Sequence, residues 1–142
     1  MTGVVVDASV VVKWLLPEEL TDEALRLLDQ TTTLSVPDLV DVEVANVLWK
    51  RVQRQQMTLA DARDALRELR ESPVTRHASR ELLSMAMDIA TAYGRTIYDG
   101  IYVALAVTQD CPLITSDERL VNSLSRSKLK PHLVHLRNHQ VS

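Results

Sequence analysis

The stretch VVVDASVVVKWLLPEE, residues 4–19, sets the beginning of the fold. Its first valines predict a strand over residues 3–7, because a short and continuously apolar run is typical of a parallel strand buried on both faces. An extended segment that continued to Leu16 would be unusually long, and Pro17 stops it, so we expect a short helix after Asp7. A charged carboxylate therefore stands where the first buried strand ends.

The rest of the chain continues this alternation of strands and helices. Further strands are predicted at residues 32–36, 73–77, 112–115 and 132–136. Helices are predicted at residues 18–30, 38–54, 57–72, 79–93 and 98–109, with a short one ending near residue 125. Such alternation predicts an α/β fold in which helices cover both faces of a mostly parallel sheet of four or five strands. With no linker or repeat, residues 1–142 are expected to form one domain.

Three local signals predict where helices begin or end. Asp38 follows Pro37 and is a plausible N-cap of the helix over residues 38–54. Thr58 precedes Asp61 by three residues, in the manner of a capping box. Gly94 follows an apolar helical pattern and is expected to end that helix.

Composition and charge narrow the class of protein. The formal net charge is −3 and the isoelectric point is about 5.8, so binding to nucleic acid would need a local basic patch. Cys111 is the only cysteine, which excludes an intrachain disulfide and a cysteine-based zinc site. The apolar run near Val4 is too short to cross a membrane and lacks the basic flank of a signal peptide. We expect a cytoplasmic protein with no membrane partner.

Four acidic residues lie at strand ends or within largely apolar helical segments, where a charged side chain is unusual. Asp7 and Asp117 each follow a predicted strand, and such strand ends meet at the ligand-binding edge of a parallel sheet. Glu43 lies on an apolar helix with Asn46 three residues later on the same face. Asp99 interrupts a segment that is otherwise almost free of charge. Each acid taken alone is also explained as a helix cap, a first-turn acid or a solvated side chain, and this alternative stays open.

If the four carboxylates converge, they need a cation between them, because close carboxylates repel one another strongly. Oxygen-rich anionic sites suit Mg²⁺ or Mn²⁺ better than zinc, and such ions activate water for phosphodiester cleavage. The chain has no phosphate-binding glycine loop. A haloacid-dehalogenase-type phosphatase would need an acid where Ser9 stands, and the acids and late lysine of a receiver domain are missing.

Basic and apolar clusters suggest further contacts. The two basic clusters are Lys50, Arg51 and Arg54, and Arg126, Lys128 and Lys130. Either cluster suits the phosphates of a nucleic acid, although basic residues near helix ends are more often ordinary surface. The histidines of the last segment, His132, His135 and His139, are expected to be solvated. The short helix after Asp7 carries so many large apolar residues that we expect one side to face the sheet and the other to meet a partner.

The chain resembles the PIN domain, in particular the single-domain ribonuclease toxins of the VapC family. The resemblance rests on four segments in order, which together span most of residues 4–120. They are VVVDASVVVKWLLPEE, VPDLVDVEVANVLWK, TIYDGIYVALA and LITSDERL. The conserved acids of the family correspond to Asp7, Glu43, Asp99 and Asp117, which implies that these residues are catalytic and bind Mg²⁺ or Mn²⁺. The family's supporting polar residues correspond to Ser9, Asn46 and Thr115.

The resemblance implies a metal-dependent endoribonuclease with a PIN-like three-layer α/β/α fold. Water would attack the phosphorus in line and leave 3′-hydroxyl and 5′-phosphate ends. The implied partners are an RNA substrate, a cognate antitoxin protein and a second copy of the chain in a homodimer. The alternative is a non-catalytic PIN-fold module that binds RNA or protein.

The sequence departs from the family pattern at two places. Gly100 stands where alanine is commoner, directly beside Asp99. Glu118 and Arg119 follow Asp117, so the additional downstream aspartate of some relatives is missing. The number of metal ions, one or two, therefore stays open.

Overall fold

Five parallel strands form the central sheet of the computed structural model, which describes residues 3–29 and 32–139. The strands are β1 (Gly3–Val6), β2 (Thr33–Pro37), β3 (Val74–His77), β4 (Leu113–Thr115) and β5 (Leu133–His135). They lie in the order β3-β2-β1-β4-β5, and every neighbouring pair is parallel. The predicted α/β class and five-stranded sheet are confirmed.

The order in which strands are added to the sheet reverses beside β1. From β1 the chain winds outward to β2 and β3, and it later returns to the other side of β1 to form β4 and β5. The crevice between the carboxyl ends of β1 and β4 is thus the position at which open α/β sheets usually bind ligands. Asp7 directly follows β1, and Asp117 lies two residues beyond β4.

Seven α-helices connect the strands within the described ranges. They are α1 (Ala8–Leu15), α2 (Thr21–Leu28), α3 (Leu39–Gln53), α4 (Leu59–Glu71), α5 (Leu83–Tyr93), α6 (Ile97–Gln109) and α7 (Glu118–Ser123). Short 3₁₀ helices occupy Ser79–Leu82, Lys130–His132 and Leu136–Asn138. None of the helices in the described part of the chain is long and apolar enough to span a bilayer.

The alternation of side chains along β1 divides the interior into two cores. Val4 and Val6 pack in one core with residues of α1 to α4, whereas Val5 packs in the other with residues of α5 to α7. Successive strand residues point to opposite faces of the sheet, so a strand covered by helices on both faces must be apolar throughout. The three-layer α/β/α architecture is confirmed.

Asp38 occupies the N-cap position of α3, as predicted, but its side chain makes no capping hydrogen bond to that helix. Asp38 precedes α3, but its carboxylate accepts a hydrogen bond from the backbone N–H of Ser79 (3.1 Å) and none from α3. The Ser79 hydroxyl in turn accepts from the backbone N–H of Leu39 at 3.1 Å. A residue forty positions away thus caps α3, which local sequence signals cannot reveal. Thr58, which accepts from Asp61 N at 3.0 Å, and Gly94, at φ 65°, confirm the other two predictions.

The chain itself covers much of the apolar surface of α1. Val10, Val11 and Val12 are buried, and Trp14 is half-buried against the first core. The indole Nε1 of Trp14 donates to the backbone carbonyl of Ala24 in α2 (2.7 Å). Trp14, Leu15 and Leu16 nevertheless stay partly exposed, so α2 covers only part of this side and a contact of α1 with a partner stays a prediction.

Gly100 allows α6 to lie close against α5. A Cβ atom at this position would lie 2.5 Å from the backbone carbonyl oxygen of Ala86 and 3.2 Å from its Cα. Both contacts involve backbone, so no side chain could move aside to relieve them. The missing side chain thus permits the close packing that fixes the neighbouring Asp99 in the first turn of α6.

The variant Gly100→Ala is expected to be less stable than the wild type. Alanine normally favours a helix by about 1 kcal/mol over glycine. Here the clash with Ala86 should reverse that gain and cost roughly 1–3 kcal/mol, as overpacking usually does. Urea unfolding measures the difference, with Thr91→Ala on the exposed face of α5 as the control. A Gly100→Ala variant as stable as the wild type would show that the two helices separate easily.

Candidate active site

Asp7 lies in the crevice between β1 and β4 and is only 7% exposed. Its carboxylate Oδ1 accepts hydrogen bonds from the backbone N–H of Val10 at 3.3 Å and from the hydroxyl of Ser9. Its backbone N–H donates to the carbonyl of Ile114 in β4 at 3.3 Å. Asp7 is thus the N-cap of α1, as the alternative interpretation held. It is also a nearly buried acid at the reversal of strand order, so the two roles coexist.

The surroundings of Asp7 disfavour its charged form. Burial is the main cause, and it raises the pKa of Asp7 from 3.8 to about 6. Hydrogen bonds from Ser9, Thr115 and Val10 oppose this rise without cancelling it, while the nearby charge of Asp117 adds to it. A carboxylate in this environment is stabilised by any cation that enters the crevice.

The raised pKa of Asp7 predicts a pH dependence of the metal-free protein. The folded-state pKa lies above the unfolded value, so the contribution of Asp7 is fully present below about pH 4 and is lost as the pH rises through about 6. A shift of this size corresponds to about 3 kcal/mol.

Asp7→Asn cannot ionise, so its stability relative to the wild type should grow between pH 4 and pH 7. Urea unfolding of both proteins in EDTA measures this trend. A difference that stays constant across that range would show that Asp7 titrates normally.

Hydroxyl groups tie the loops after β1 and β4 together. The Ser9 hydroxyl accepts from the backbone N–H of Ser116 at 3.1 Å, in addition to its bond to Asp7. The Thr115 hydroxyl is fully buried and accepts from the backbone N–H of Asp117 at 3.0 Å. These contacts hold the two aspartates on adjoining loops. Ser9 and Thr115 thus connect the two loops, while their supporting role in a metal site stays a prediction.

Asp117 begins α7 and also faces the crevice. Its Oδ1 accepts from the backbone N–H groups of Arg119 (3.0 Å) and Leu120 (3.3 Å), which makes it the N-cap of that helix. Its second oxygen, Oδ2, is turned toward the guanidinium of Arg95 at 3.8 Å. One carboxylate oxygen thus fixes the local structure, while the other faces the site.

Glu43 projects from α3 with one oxygen unsatisfied. Its Oε1 is buried and has no hydrogen-bond partner among the described residues. Burial raises the pKa of Glu43, and the charge of Asp99 raises it further. The Tyr102 hydroxyl of α6 lies beside Glu43 and opposes this rise, although the pair does not reach full hydrogen-bond geometry. Asn46 lines the same cavity of about 410 Å³ as Glu43.

Tyr102 is a site residue that the sequence analysis missed. Its side chain is 3% exposed, and its hydroxyl has no hydrogen-bond partner among the described residues. Burial and the neighbouring Glu43 raise the pKa of Tyr102, so the phenol keeps its proton. Tyr102 follows Asp99 by three residues on α6, which is the only sequence signal that would have pointed to it.

Asp99 is paired with a cation that the sequence analysis also missed. The Nε and Nη2 atoms of Arg95 donate to Asp99 Oδ2 at 3.1 and 2.8 Å. The backbone N–H of Asp99 donates to the Thr96 hydroxyl at 3.1 Å, which caps α6. The four-residue spacing from Arg95 to Asp99 is typical of an ion pair, so this pair could have been predicted. The contact of Arg95 with Asp117 depends on the tertiary fold and could not.

The four predicted acids face one region of the molecule. Asp117 acts electrostatically on Asp7, Asp99 acts on Glu43, and the guanidinium of Arg95 lies between Asp99 and Asp117. No three His, Cys, Asp or Glu side chains in the described ranges close around a common point as a complete metal cage would. The acids are thus neighbours, with one protein cation between two of them.

The donor set of this region fits a hard divalent cation. All its candidate ligands are carboxylate oxygens, which Mg²⁺ and Mn²⁺ prefer. The buried Glu43 oxygen without a partner is the kind of atom that an ion would satisfy. Both observations agree with the predicted ligand chemistry, while the role of each acid stays a prediction.

Two cavities open beside the acids and share Lys13 and Ser116. One, of about 420 Å³, is lined by Asp117 and by basic side chains that include Arg119 and His135. The other is the Glu43 cavity. Lys13 is 9% exposed, and its Nζ lies 3.2 Å from Glu18 Oε1. The sequence analysis missed this buried lysine.

The expectation of solvated histidines is wrong for His135. This residue ends β5, is 6% exposed, and accepts a hydrogen bond from the backbone N–H of Arg137 at 3.1 Å. His132 is half-buried, with its ring 3.4 Å from the carbonyl of Cys111. Both residues are buried or half-buried because they lie in or next to the last strand, β5. No sequence motif lies near them, so their burial could not be predicted.

Comparison with known proteins identifies similar sequences and folds. The PIN domain matches residues 4–123. Ribonuclease VapC3 of Pyrobaculum aerophilum is 38% identical over 118 residues, which cover 82% of this chain and 90% of the relative. Ribonuclease VapC9 of Mycobacterium tuberculosis is 38% identical over 117 residues, which cover 82% and 87%.

Solved structures share the fold at lower sequence identity. The crystal structure of PAE2754 from Pyrobaculum aerophilum has a TM-score of 0.73 and 20% identity, and the match covers 96% of this chain and 85% of that chain. A toxin-antitoxin complex from Klebsiella pneumoniae has a TM-score of 0.63 and 15% identity, with coverage of 97% and 99%.

Proposed function

The chain belongs to the VapC-type ribonucleases of the PIN-domain family, and we propose on that basis that it is a metal-dependent endoribonuclease and the toxin of a toxin–antitoxin pair. The observation that carries the proposal is the nearly buried Asp7 at the reversal of strand order, with a second acid, Asp117, beside it. The relatives are named ribonucleases and are 34–38% identical over most of the chain. We further propose that residues 1–142 act as one domain in the cytoplasm, where RNA substrates occur.

We assign Asp7, Glu43, Asp99 and Asp117 as the residues that hold Mg²⁺ or Mn²⁺. When bound, such an ion would supply the positive charge that stabilises the phosphodiester transition state and would lower the pKa of water.

The chain's own residues would position this chemistry. The hydroxyls of Ser9 and Thr115 hold the loops that carry Asp7 and Asp117. Asn46 lies beside Glu43 in the same cavity, and the protonated Tyr102 is available to donate a hydrogen bond to Glu43. These residues would fix the carboxylates in place, which is the contribution that outer-shell groups make to metal sites.

A basic track leads from the acids along α3 and suits the backbone of RNA. Its cavity of about 530 Å³ is lined by Lys50, Arg51 and Arg54, and it adjoins the Glu43 cavity at Val47. Arg51 pairs with Glu18, whereas Lys50 and Arg54 are exposed and have no carboxylate within 4 Å in the described residues. The free cations can neutralise phosphates next to the scissile one.

The double variant Lys50→Gln/Arg54→Gln is expected to bind RNA more weakly while cleaving at an unchanged rate. Each residue contacts phosphate and none of the reacting atoms, so KM should rise roughly tenfold with kcat unaffected. The slope of log KM against log salt should fall by about 1.4 for two lost contacts to a single strand. The control is Arg126→Gln/Lys128→Gln in the other basic cluster. Equal effects of both pairs would rule out a specific track on α3.

The proposed activity is tested by incubating the purified protein with ribosomal, transfer and messenger RNA in Mn²⁺. We expect cleavage at defined positions that leaves 5′-phosphate and 3′-hydroxyl ends. If none of these RNAs is cleaved although filter binding detects a complex, the protein is instead a non-catalytic PIN-fold module.

The same family membership supports a proposal of two protein partners. We propose a cognate antitoxin, because the relatives of similar fold include toxin–antitoxin complexes. The short protein encoded next to the gene for this chain should co-purify with it and suppress RNA cleavage. Failure of both effects would exclude that protein as the antitoxin.

We also propose a homodimer. Val42 and Trp49 lie two turns apart on one face of α3, and they are 69% and 56% exposed, which is unusual for large apolar residues. Light scattering at micromolar concentration should give the mass of two chains. A monomer mass would refute the dimer.

A further inference from the structure

Arg95 lies between two of the four acids. It stands in the connection between α5 and α6, directly after Gly94 and directly before the Thr96 that caps α6. Short-range contacts at both neighbours thus fix the backbone from which its side chain projects. The side chain is 21% exposed and points to the crevice at the carboxyl ends of β1 and β4.

The guanidinium of Arg95 contacts one carboxylate oxygen of each of two acids. Two of its nitrogens bond to Asp99 Oδ2 at 2.8 and 3.1 Å, and Nη2 also lies 3.8 Å from Asp117 Oδ2. Asp117 Oδ1 is already used to cap α7, so Oδ2 is its remaining ligand atom. No other carboxylate lies within 4 Å of Arg95 in the described parts of the chain.

A cation in this position reduces the repulsion between the two carboxylates, as a bound metal ion would. Two carboxylates that approach one another repel and resist ionisation unless a positive charge lies between them. Arg95 supplies that charge from within the chain. Asp99 Oδ2 already accepts two hydrogen bonds from Arg95, which occupy both of its lone pairs, so an ion coordinated by this oxygen must displace the guanidinium from it.

We propose that Arg95 is a displaceable internal cation, which lies between Asp99 and Asp117 in the metal-free protein and must give up its hydrogen bonds to Asp99 when a divalent ion binds. The inference rests on the proposed metal site. Arg95 competes with the ion for the carboxylates and thereby sets the concentration of divalent ion at which the site fills. Arg95 is a positioning residue in this account, since it acts through the two carboxylates.

Metal affinity of charge variants tests the competition. Titration calorimetry with Mn²⁺ should show roughly tenfold tighter binding to Arg95→Gln than to the wild type, the order expected for removing a full charge about 4 Å from the site. Arg95→Lys keeps the charge and should stay near the wild type. Arg67→Gln is the matched control, since Arg67 forms an exposed pair with Asp64 on α4. Equal or weaker binding by Arg95→Gln would overturn the proposal.

A measurement on the wild-type protein tests the displacement directly. In metal-free protein the Arg95 Nε–H is hydrogen-bonded to Asp99, so its NMR signal, assigned by its loss in Arg95→Lys, should exchange slowly with solvent. Saturation with Mg²⁺ should shift this signal and speed its exchange at least several-fold. An unchanged signal at saturation would refute displacement while leaving the metal site intact. If calorimetry detects no ion binding to either the wild type or Arg95→Gln, the metal site itself fails, and the role of Arg95 fails with it.

Discussion

Asp7→Asn is expected to lower the rate of RNA cleavage by at least about 100-fold. Even the outer-shell partners of metal ligands typically contribute 10–100-fold, so loss of a ligand charge should cost at least the upper end of that range. Asp7 is the most buried of the four acids and lies at the reversal of strand order. Cleavage of a 5′-labelled RNA by both proteins in saturating Mn²⁺ measures the loss.

The fold should survive this substitution. The side-chain oxygen of asparagine can still accept from the Val10 amide and the Ser9 hydroxyl, so the start of α1 is preserved. In metal-free buffer at pH 7 the variant should be at least as stable as the wild type. Asp64→Asn, an exposed acid on α4, is the matched control and should cleave normally. Equal cleavage by Asp7→Asn and the wild type would refute the assigned site.

Chelation of divalent ions is expected to reduce cleavage to the level of Asp7→Asn. Four carboxylates face the site, and within the described chain Arg95 is the cation that lies between two of them. The protein alone therefore leaves net negative charge where an anionic phosphodiester must enter. EDTA should reduce cleavage to that level, and excess Mn²⁺ or Mg²⁺ should restore it.

Thermal unfolding separates a specific effect of the ion from a general one. Mn²⁺ should raise the melting temperature of the wild type in a concentration-dependent manner, because it binds the folded state. The same additions should have a much smaller effect on Asp7→Asn. Cleavage that continues unchanged in EDTA would contradict a metal-dependent mechanism, whatever the thermal data show.

Local patterns in the sequence predicted the elements that depend on local physics. The valines before Asp7 predicted a strand that is covered on both faces, and that strand lies at the centre of the sheet. Thr58 and Gly94 act within a few residues of themselves, so their capping roles were readable. The positions of the four acids followed from motifs, and the fold brings them to one region.

Contacts that cross the fold could not be predicted in the same way. The bond from Asp38 to Ser79 joins residues that no local pattern links. Arg95 has a suggestive spacing to Asp99, but its contact with Asp117 arises only when the connection before α6 meets the loop after β4. Burial of His135 and Tyr102 likewise depends on which strand or helix covers them. The sequence thus identified the candidate acids but missed the buried and charged groups that surround them.

An anomalous difference map from crystals soaked in Mn²⁺ tests the central claim most directly. The account predicts a manganese peak in the crevice between β1 and β4, within about 2.0–2.6 Å of carboxylate oxygens of Asp7 and Asp117 or one bridging water away from them. The Arg95 guanidinium should no longer be hydrogen-bonded to Asp99. A fully occupied manganese site elsewhere, with the crevice empty at the same concentration, would contradict the assignment of these acids as the catalytic metal site.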